Sequence, residues 1–277
     1  MGTPSSIIDR VSELLREVIA TEVLPAYGKL KPEDVEQKQT EGDPEDIVSR
    51  VDKAVEARLG PALSALLPGS SVVGEEAAHA DASVTDALKQ DGSIWVIDPI
   101  DGTRGFVRGE PAFGVMVALV VDRQTQASWI ALPARSQLLV AERGSGAYLD
   151  GKRISLPTTE LAGLPRGTLY TRYLPEPERT LLEQRSQRRY QPILGSGSAA
   201  IEYADVVLGN KDFVVYYRLL PWDHLPGALL VTEAGGTAQL PDRTPFTPRH
   251  QVGPLIVATN QSVSAQVEPW FAGIRVD

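Results

Sequence analysis

The chain has no cysteine. That excludes disulfides, thiolate zinc sites and cysteine nucleophiles, and it fits a reducing compartment. Histidine is nearly as scarce. His79, His224 and His250 are the only three, and their spacing is not that of a histidine metal cluster. Positive charge is in deficit, 27 Lys and Arg against 36 Asp and Glu, for a net charge of -9. A broad nucleic-acid surface needs a basic stripe, so nucleic acid is an unlikely partner. The one local cluster, Arg185, Arg188 and Arg189, reads as solvated surface. No long apolar run resembles a signal peptide or a membrane span, so a soluble, cytoplasmic protein is expected.

What is present is an ordinary globular composition, 42% hydrophobic over 277 residues, enough for a sizeable core. Apolar positions Ile7, Ile8, Val11, Leu14, Leu15, Val18 and Ile19 recur at helical spacing. They predict a helix over 4–27 with Thr3 and Pro4 at its start. Residues 28–45 are polar and read as a mobile loop. A second helix is expected from about Asp46, interrupted at Gly60-Pro61. Asp52 falls among its apolar positions, so it is either a cap or faces a site. A short strand, 71–74, delivers Glu75 and Glu76, of which one should face the site. Residues 77–90 read as surface.

Strands over 113–122, 127–132, 137–142 and 146–149, with hairpin-length links, suggest an antiparallel region. After a boundary near 156 the pattern alternates. Strands are expected at 167–172, 212–217, 236–240 and 254–259. Helices are expected at 177–188, 198–208, 223–234 and 262–272. This predicts an α/β layer. The division is into an N-terminal half, 1–156, carrying most candidate ligands, and a C-terminal half, 157–277.

The chemistry concentrates in Trp95–Phe106. An apolar strand is expected to break at Asp98-Pro99 and turn through Asp101, Gly102 and Thr103. Two carboxylates meeting at a strand end are costly to hold together without a cation. Backbone N–H groups follow at Gly102 and Thr103, a cradle for an anion. Metal holding phosphate is the first hypothesis. Asp223, in Trp222-Asp223-His224, stands at a predicted helix start, as N-cap or ligand. An all-oxygen ligand set suits Mg²⁺ rather than zinc.

These residues also carry a resemblance. Asp98-Pro99-Ile100-Asp101-Gly102-Thr103 resembles the D-P-[IL]-D-G-T motif of the inositol monophosphatase family. Gly74-Glu75-Glu76 resembles its G-E-E element, and Asp46–Asp52 its D-x-V-[ST]-x-x-D helix. Trp222-Asp223 with Glu233-Ala234-Gly235-Gly236 resembles its second motif. All lie in the family's order and span nearly the whole chain.

The resemblance implies a layered α/β/α/β/α sandwich and magnesium-dependent hydrolysis of a small phosphomonoester, without a covalent enzyme intermediate. It implies two to three Mg²⁺ per site. Glu75, Asp98 and the carbonyl of Ile100 would hold one; Asp98, Asp101 and Asp223 a second; a third would sit near Glu75. Gly102 and Thr103 would bind phosphate. Thr103 with Asp52 would orient the attacking water. Ser198 and Ala199, in a G-[ST]-A-A-like segment, would line the sugar side. A homodimer is implied, as in relatives.

Departures from the family leave the substrate open. Tyr216 stands where animal enzymes carry a glutamate that contacts inositol. It either meets the alcohol or merely finishes a strand. Arg104 reads as a surface residue or as a contact for a second anionic group. His224 reads as a helix-start hydrogen bond rather than a substrate contact. Lys38 is the best match to the family's loop lysine, at a shifted spacing. Inositol monophosphate leads. Histidinol phosphate, 3′-phosphoadenosine 5′-phosphate and fructose 1,6-bisphosphate are the rival substrates. A non-catalytic role in transcription or RNA processing is the reading from another class.

Overall fold

The computed structural model describes residues 6–38, 43, 45–158 and 161–274. The first helix, α1 (Ile7–Val18), is capped by Ser6, whose side chain accepts from Asp9 N–H. It continues through one widened turn, Ile19–Val23. Thr3 and Pro4, expected at its start, lie outside the described residues.

Polarity alone misled the reading of 28–45. Val35–Gln37 (β1) pairs antiparallel with Ile47–Ser49 (β2). The second helix, α2, accordingly runs Arg50–Leu66 and not from Asp46. Ile47 and Val48 are β-branched and favour strand. Ser49 then closes a capping box: its side chain accepts from Val51 N–H, while Asp52 accepts from Ser49 N–H. The helix runs through Gly60-Pro61 without interruption. Val51, Val55, Leu59 and Leu63 bury one face. Burying a Val or Leu contributes about 1.5–3 kcal/mol, so that face outweighs a local proline defect.

The larger sheet has seven strands in chain order: β3 (Ser71–Gly74), β4 (Ser93–Asp101), β5 (Gly114–Val121), β6 (Gln124–Leu132), β7 (Gln137–Glu142), β8 (Gly146–Leu149) and β9 (Lys152–Ile154). Only β3–β4 is parallel; the rest are antiparallel, as the hairpin spacing predicts. Between β3 and β4, where surface was expected, lie α3 (Glu75–Ala80) and a tight helical stretch, Ala82–Lys89, that buries Leu88. A short helix, α4 (Thr103–Arg108), follows β4.

The smaller sheet is mixed, with spatial order β11-β10-β12-β14-β13. Its strands are β10 (Arg166–Leu169), β11 (Gln191–Pro192), β12 (Phe213–Arg218), β13 (Thr237–Gln239) and β14 (Val252–Ala258). Helices α5 (Glu176–Ser186), α6 (Ala199–Val207), α7 (Pro221–Glu233) and α8 (Gln261–Val267) alternate with them.

Alternation along the strands sets the layers. Trp95 and Ile97 of β4 face α1 and α2. Val214 and Tyr216 of β12 face α6, α7 and the larger sheet. Phe213, Val215 and Tyr217 face Leu182, Val263 and Val267 on the far side. The result is α1/α2, sheet, α6/α7, sheet, α5/α8: the α/β/α/β/α sandwich.

Candidate active site

Strand β4 does not break at Asp98-Pro99; it continues to Asp101 through an irregularity. Asp98 pairs with Met116 and Asp101 with Gly114, so three steps on β4 match two on β5. In a regular strand, residues three apart point to opposite faces. The extra residue of the bulge reverses that parity, so both carboxylates reach one side. Gly102 then turns the chain with φ 82°. A Cβ there would lie 2.6 Å from Ala112 O, so the turn needs glycine.

Asp223 comes from the other half, in the first turn of α7. Oxygens of Asp98, Asp101 and Asp223 all lie within 4.8 Å of one another. Asp98 and Asp101 are buried. Asp98 Oδ1 has no hydrogen-bond partner among the described residues. Burial, then repulsion from Glu75, Asp101 and Asp223, pushes Asp98 well above the carboxylate range. Burial and the charges of Asp101 and Glu75 do the same to Asp223, with Arg218 acting against them. Asp101 is pushed up to about 6, chiefly by burial, although donors from the Ser198 segment oppose the shift. An orphaned buried oxygen and mutually repelling carboxylates are what a hard divalent cation relieves, so these residues fit Mg²⁺.

The Ser198 segment does not simply face a sugar. Ser198 Oγ donates to Asp101, and the Ala199 and Ala200 N–H groups donate to the same carboxylate at 3.0 and 2.7 Å. Ser198 and Ala199 also line the cavity above it.

Asp52 caps α2 and also reaches Thr103. Its Oδ2 accepts from Ser49 N–H at 2.9 Å and from Ser49 Oγ, while Oδ1 accepts from Thr103 Oγ1 at 2.9 Å. Burial raises its pKa to about 6. Thr103 Oγ1 lies equally close, 2.9 Å, to Ile100 O. With one proton it donates to one of them at a time.

Glu75 lines the same cavity, stands outside the tight trio and is engaged by Lys38. Lys38 Nζ is 2.7 Å from both Glu75 and Glu76, so the adjacent glutamates converge on one cation instead of diverging. Burial alone would depress the ammonium, but the two carboxylates outweigh it and raise its pKa. Glu56 accepts from the Glu76 and Ala77 N–H groups and caps α3 from the neighbouring helix.

The cavity is 270 Å³ and draws on both halves of the chain. Tyr216 lies within β12 and also lines it, stacked on Tyr170 at 5.4 Å. His224 Nε2 lies 2.9 Å from Arg218 O and must donate there, so Nδ1 accepts the Tyr203 hydroxyl proton at 3.1 Å. Burial lowers its pKa to about 4, so it is neutral. Arg104 bonds Glu45 at 2.9 Å on the cavity rim.

Asp43, Arg172 and Tyr173 also line the cavity, and sequence reasoning missed them. A usable signal existed for the latter pair. They follow β10, which is parallel to β12, and open α/β sheets gather ligands beyond the carboxyl ends of such strands. Among the described residues, no helix is long and apolar enough to cross a membrane.

Fold and cavity together define a mixed α/β sandwich with a carboxylate trio suited to a divalent cation. The inositol monophosphatase family model matches residues 6–268, and the chain belongs to that family. It is 32% identical over 191 residues to a Thermotoga maritima fructose-1,6-bisphosphatase/inositol-1-monophosphatase, covering 69% of this chain and 70% of the relative. It is 34% identical over 214 residues to the Escherichia coli Nus factor SuhB, covering 74% and 75%. The solved structure of a Thermotoga maritima IMPase superposes with a TM-score of 0.76 at 26% identity, covering 96% of this chain and all of that one.

Proposed function

We propose that the protein hydrolyses a small, inositol-monophosphate-like phosphomonoester with Mg²⁺ and an attacking water. The observation that carries this reading is the convergence of Asp98, Asp101 and Asp223 beside the Thr103–Asp52 hydrogen bond. Asp98, Asp101, Asp223, Glu75 and the Ile100 carbonyl would hold two to three ions. When bound there, Mg²⁺ lowers the pKa of water and offsets negative charge on phosphoryl oxygens.

The remaining work falls to the chain. Gly102 and Thr103 present N–H groups at the start of α4 to the phosphate. Thr103 orients the water: it gives its own proton to Asp52, which is held by two bonds from Ser49, and takes one from the water in its place. Water attacks phosphorus and the bond to the alcohol oxygen breaks. No enzyme nucleophile is needed. Ser198, Ala199 and Tyr216 border the alcohol. The halves 1–156 and 157–277 supply the two sides of the cleft.

The test is phosphate release with and without Mg²⁺ from inositol 1-phosphate, histidinol phosphate, 3′-phosphoadenosine 5′-phosphate and fructose 1,6-bisphosphate. Mg²⁺-dependent turnover of at least one is expected; none with any of them would defeat the proposal. The similarity to Nus factor SuhB supports a second reading, an accessory role in transcription without hydrolysis. Stoichiometric co-purification with a polymerase, combined with no turnover, would favour it.

A further inference from the structure

We propose that Arg218 receives a second anionic group on the alcohol part of the substrate. The cavity would then select phosphomonoesters that carry a further phosphate or carboxylate. This rests on the phosphatase reading above and narrows its substrate class.

Three guanidinium groups line the cavity: Arg104, Arg172 and Arg218. Two are already answered. Arg104 pairs with Glu45 at 2.9 Å and with Asp43 at 3.8 Å, and Arg172 pairs with Asp43 at 2.8 Å. Arg218 forms no ion pair with any carboxylate among the described residues. Its polar contact is the neutral Tyr173 hydroxyl, at 3.0 Å, and its guanidinium lies over the same ring, 5.1 Å from the centroid. The Tyr173 hydroxyl donates to Asp43 Oδ2 at 3.0 Å, so its oxygen is free to accept from Arg218.

Arg218 is therefore propped rather than ion-paired, with the charge of Asp223 facing it at longer range. Stacking and one hydrogen bond fix the plane of the guanidinium, and its other donors remain. A preorganised planar fork matches a phosphate or carboxylate better than a neutral hydroxyl. Its position suits a substrate lying across the cavity. Arg218 closes β12, and Asp223 of the trio follows five residues later through Leu219 and Leu220. Phosphate at the trio and an anion at Arg218 would occupy the same 270 Å³ space.

Matched substrate pairs test this. Fructose 1,6-bisphosphate is compared with fructose 1-phosphate, and 3-phosphoglycerate with glycerol 1-phosphate, in wild type and Arg218→Gln. The first pair probes a second phosphate, the second a carboxylate. The wild type is expected to favour the bis-anionic member in kcat/KM, and Arg218→Gln to cut that ratio by at least about tenfold, the scale of a charged hydrogen bond. Equal ratios in both proteins would overturn the proposal. If Arg218→Gln fails to fold, Arg218→Lys keeps the charge without the fork, and a smaller fall in the same ratio is expected. If no substrate is hydrolysed, the phosphatase reading fails separately. Calorimetric binding of fructose 1,6-bisphosphate with Mg²⁺ then decides. Weakening by at least about tenfold in Arg218→Gln supports the anion site; equal affinity, or no binding to either protein, overturns it.

Discussion

Thr103 Oγ1 lies 2.9 Å from Asp52 Oδ1, joining the first turn of α4 to the first turn of α2 across 51 residues. The same Asp52 caps α2 through Ser49. One carboxylate thus ties a helix start to the candidate water-orienting hydroxyl. Thr103→Val keeps the shape and removes the proton path. Its kcat in Mg²⁺-dependent phosphate release should fall by roughly 10²-fold or more, with the melting temperature shifted by only a few degrees. Near-normal turnover would remove Thr103 from the chemistry.

The acidic groups in and around the site make stability depend on pH and metal in opposite senses. Asp52 and Asp101 are raised from 3.8 to about 6, and Glu76 from 4.5 to about 7, in each case chiefly by burial. Between the unfolded and folded values the native state binds more protons than the unfolded chain. The stability these groups contribute is therefore complete below about pH 4 and is lost as pH rises through 6 to 7. The metal-free protein should melt higher at pH 5 than at pH 7.5. Saturating Mg²⁺ should raise the melting temperature more at pH 7.5, where the carboxylates are free of protons. A scan with the reverse order, or no Mg²⁺ effect at either pH, would count against a metal site here.

Asp98→Asn separates stability from function. It removes the most crowded carboxylate while leaving an amide of similar size. The metal-free variant should melt above wild type at pH 7.5, lose the Mg²⁺-induced rise and release no phosphate. Retained Mg²⁺-dependent turnover would show that Asp98 is not a ligand.

Lys38 sits between Glu75 and Glu76, nearly out of solvent. Lys38→Met leaves two largely buried carboxylates without their cation. Denaturant unfolding at pH 7.5 should show a loss of up to roughly 3 kcal/mol. The loss should shrink at pH 5, where Glu76 takes up a proton. Equal losses at both values would mean that packing of the lysine stem, and not its charge, matters.

Gly227 lets α7 approach α6. A Cβ at this position would lie 2.1 Å from the Tyr203 ring. Gly227→Ala should cost roughly 1–3 kcal/mol in denaturant unfolding, through overpacking. It should also weaken Mg²⁺ binding by displacing Asp223, which is carried on the same helix. Unchanged stability would mean that Tyr203 yields freely.

The strand and helix pattern of 113–274, apart from the short strands β9 and β11, was legible because it is local: alternation of apolar residues and turn chemistry reside in neighbouring positions. So was the set of carboxylates: Asp101, Glu75 and Asp223 stand at or near the ends of elements, and Asp98 sits beside a proline inside β4. The failures cluster where local polarity competes with packing. Residues 35–37 are polar yet pair with 47–49, and α2 holds its course through Pro61 because its other face is buried.

By itself the sequence determined which chemical groups are available and in what order: acidic ligands, a glycine turn and no thiol. Only the tertiary structure decided their geometry. A bulge in β4 brings Asp98 and Asp101 to one side; α7 carries Asp223 in from the other half; Lys38 lands between two glutamates. Asp43 is shared by Arg172 and Tyr173, and Arg218 forms no ion pair among the described residues. Such relations depend on which surfaces pack across distances of tens to hundreds of residues, and no neighbouring pair of residues encodes them.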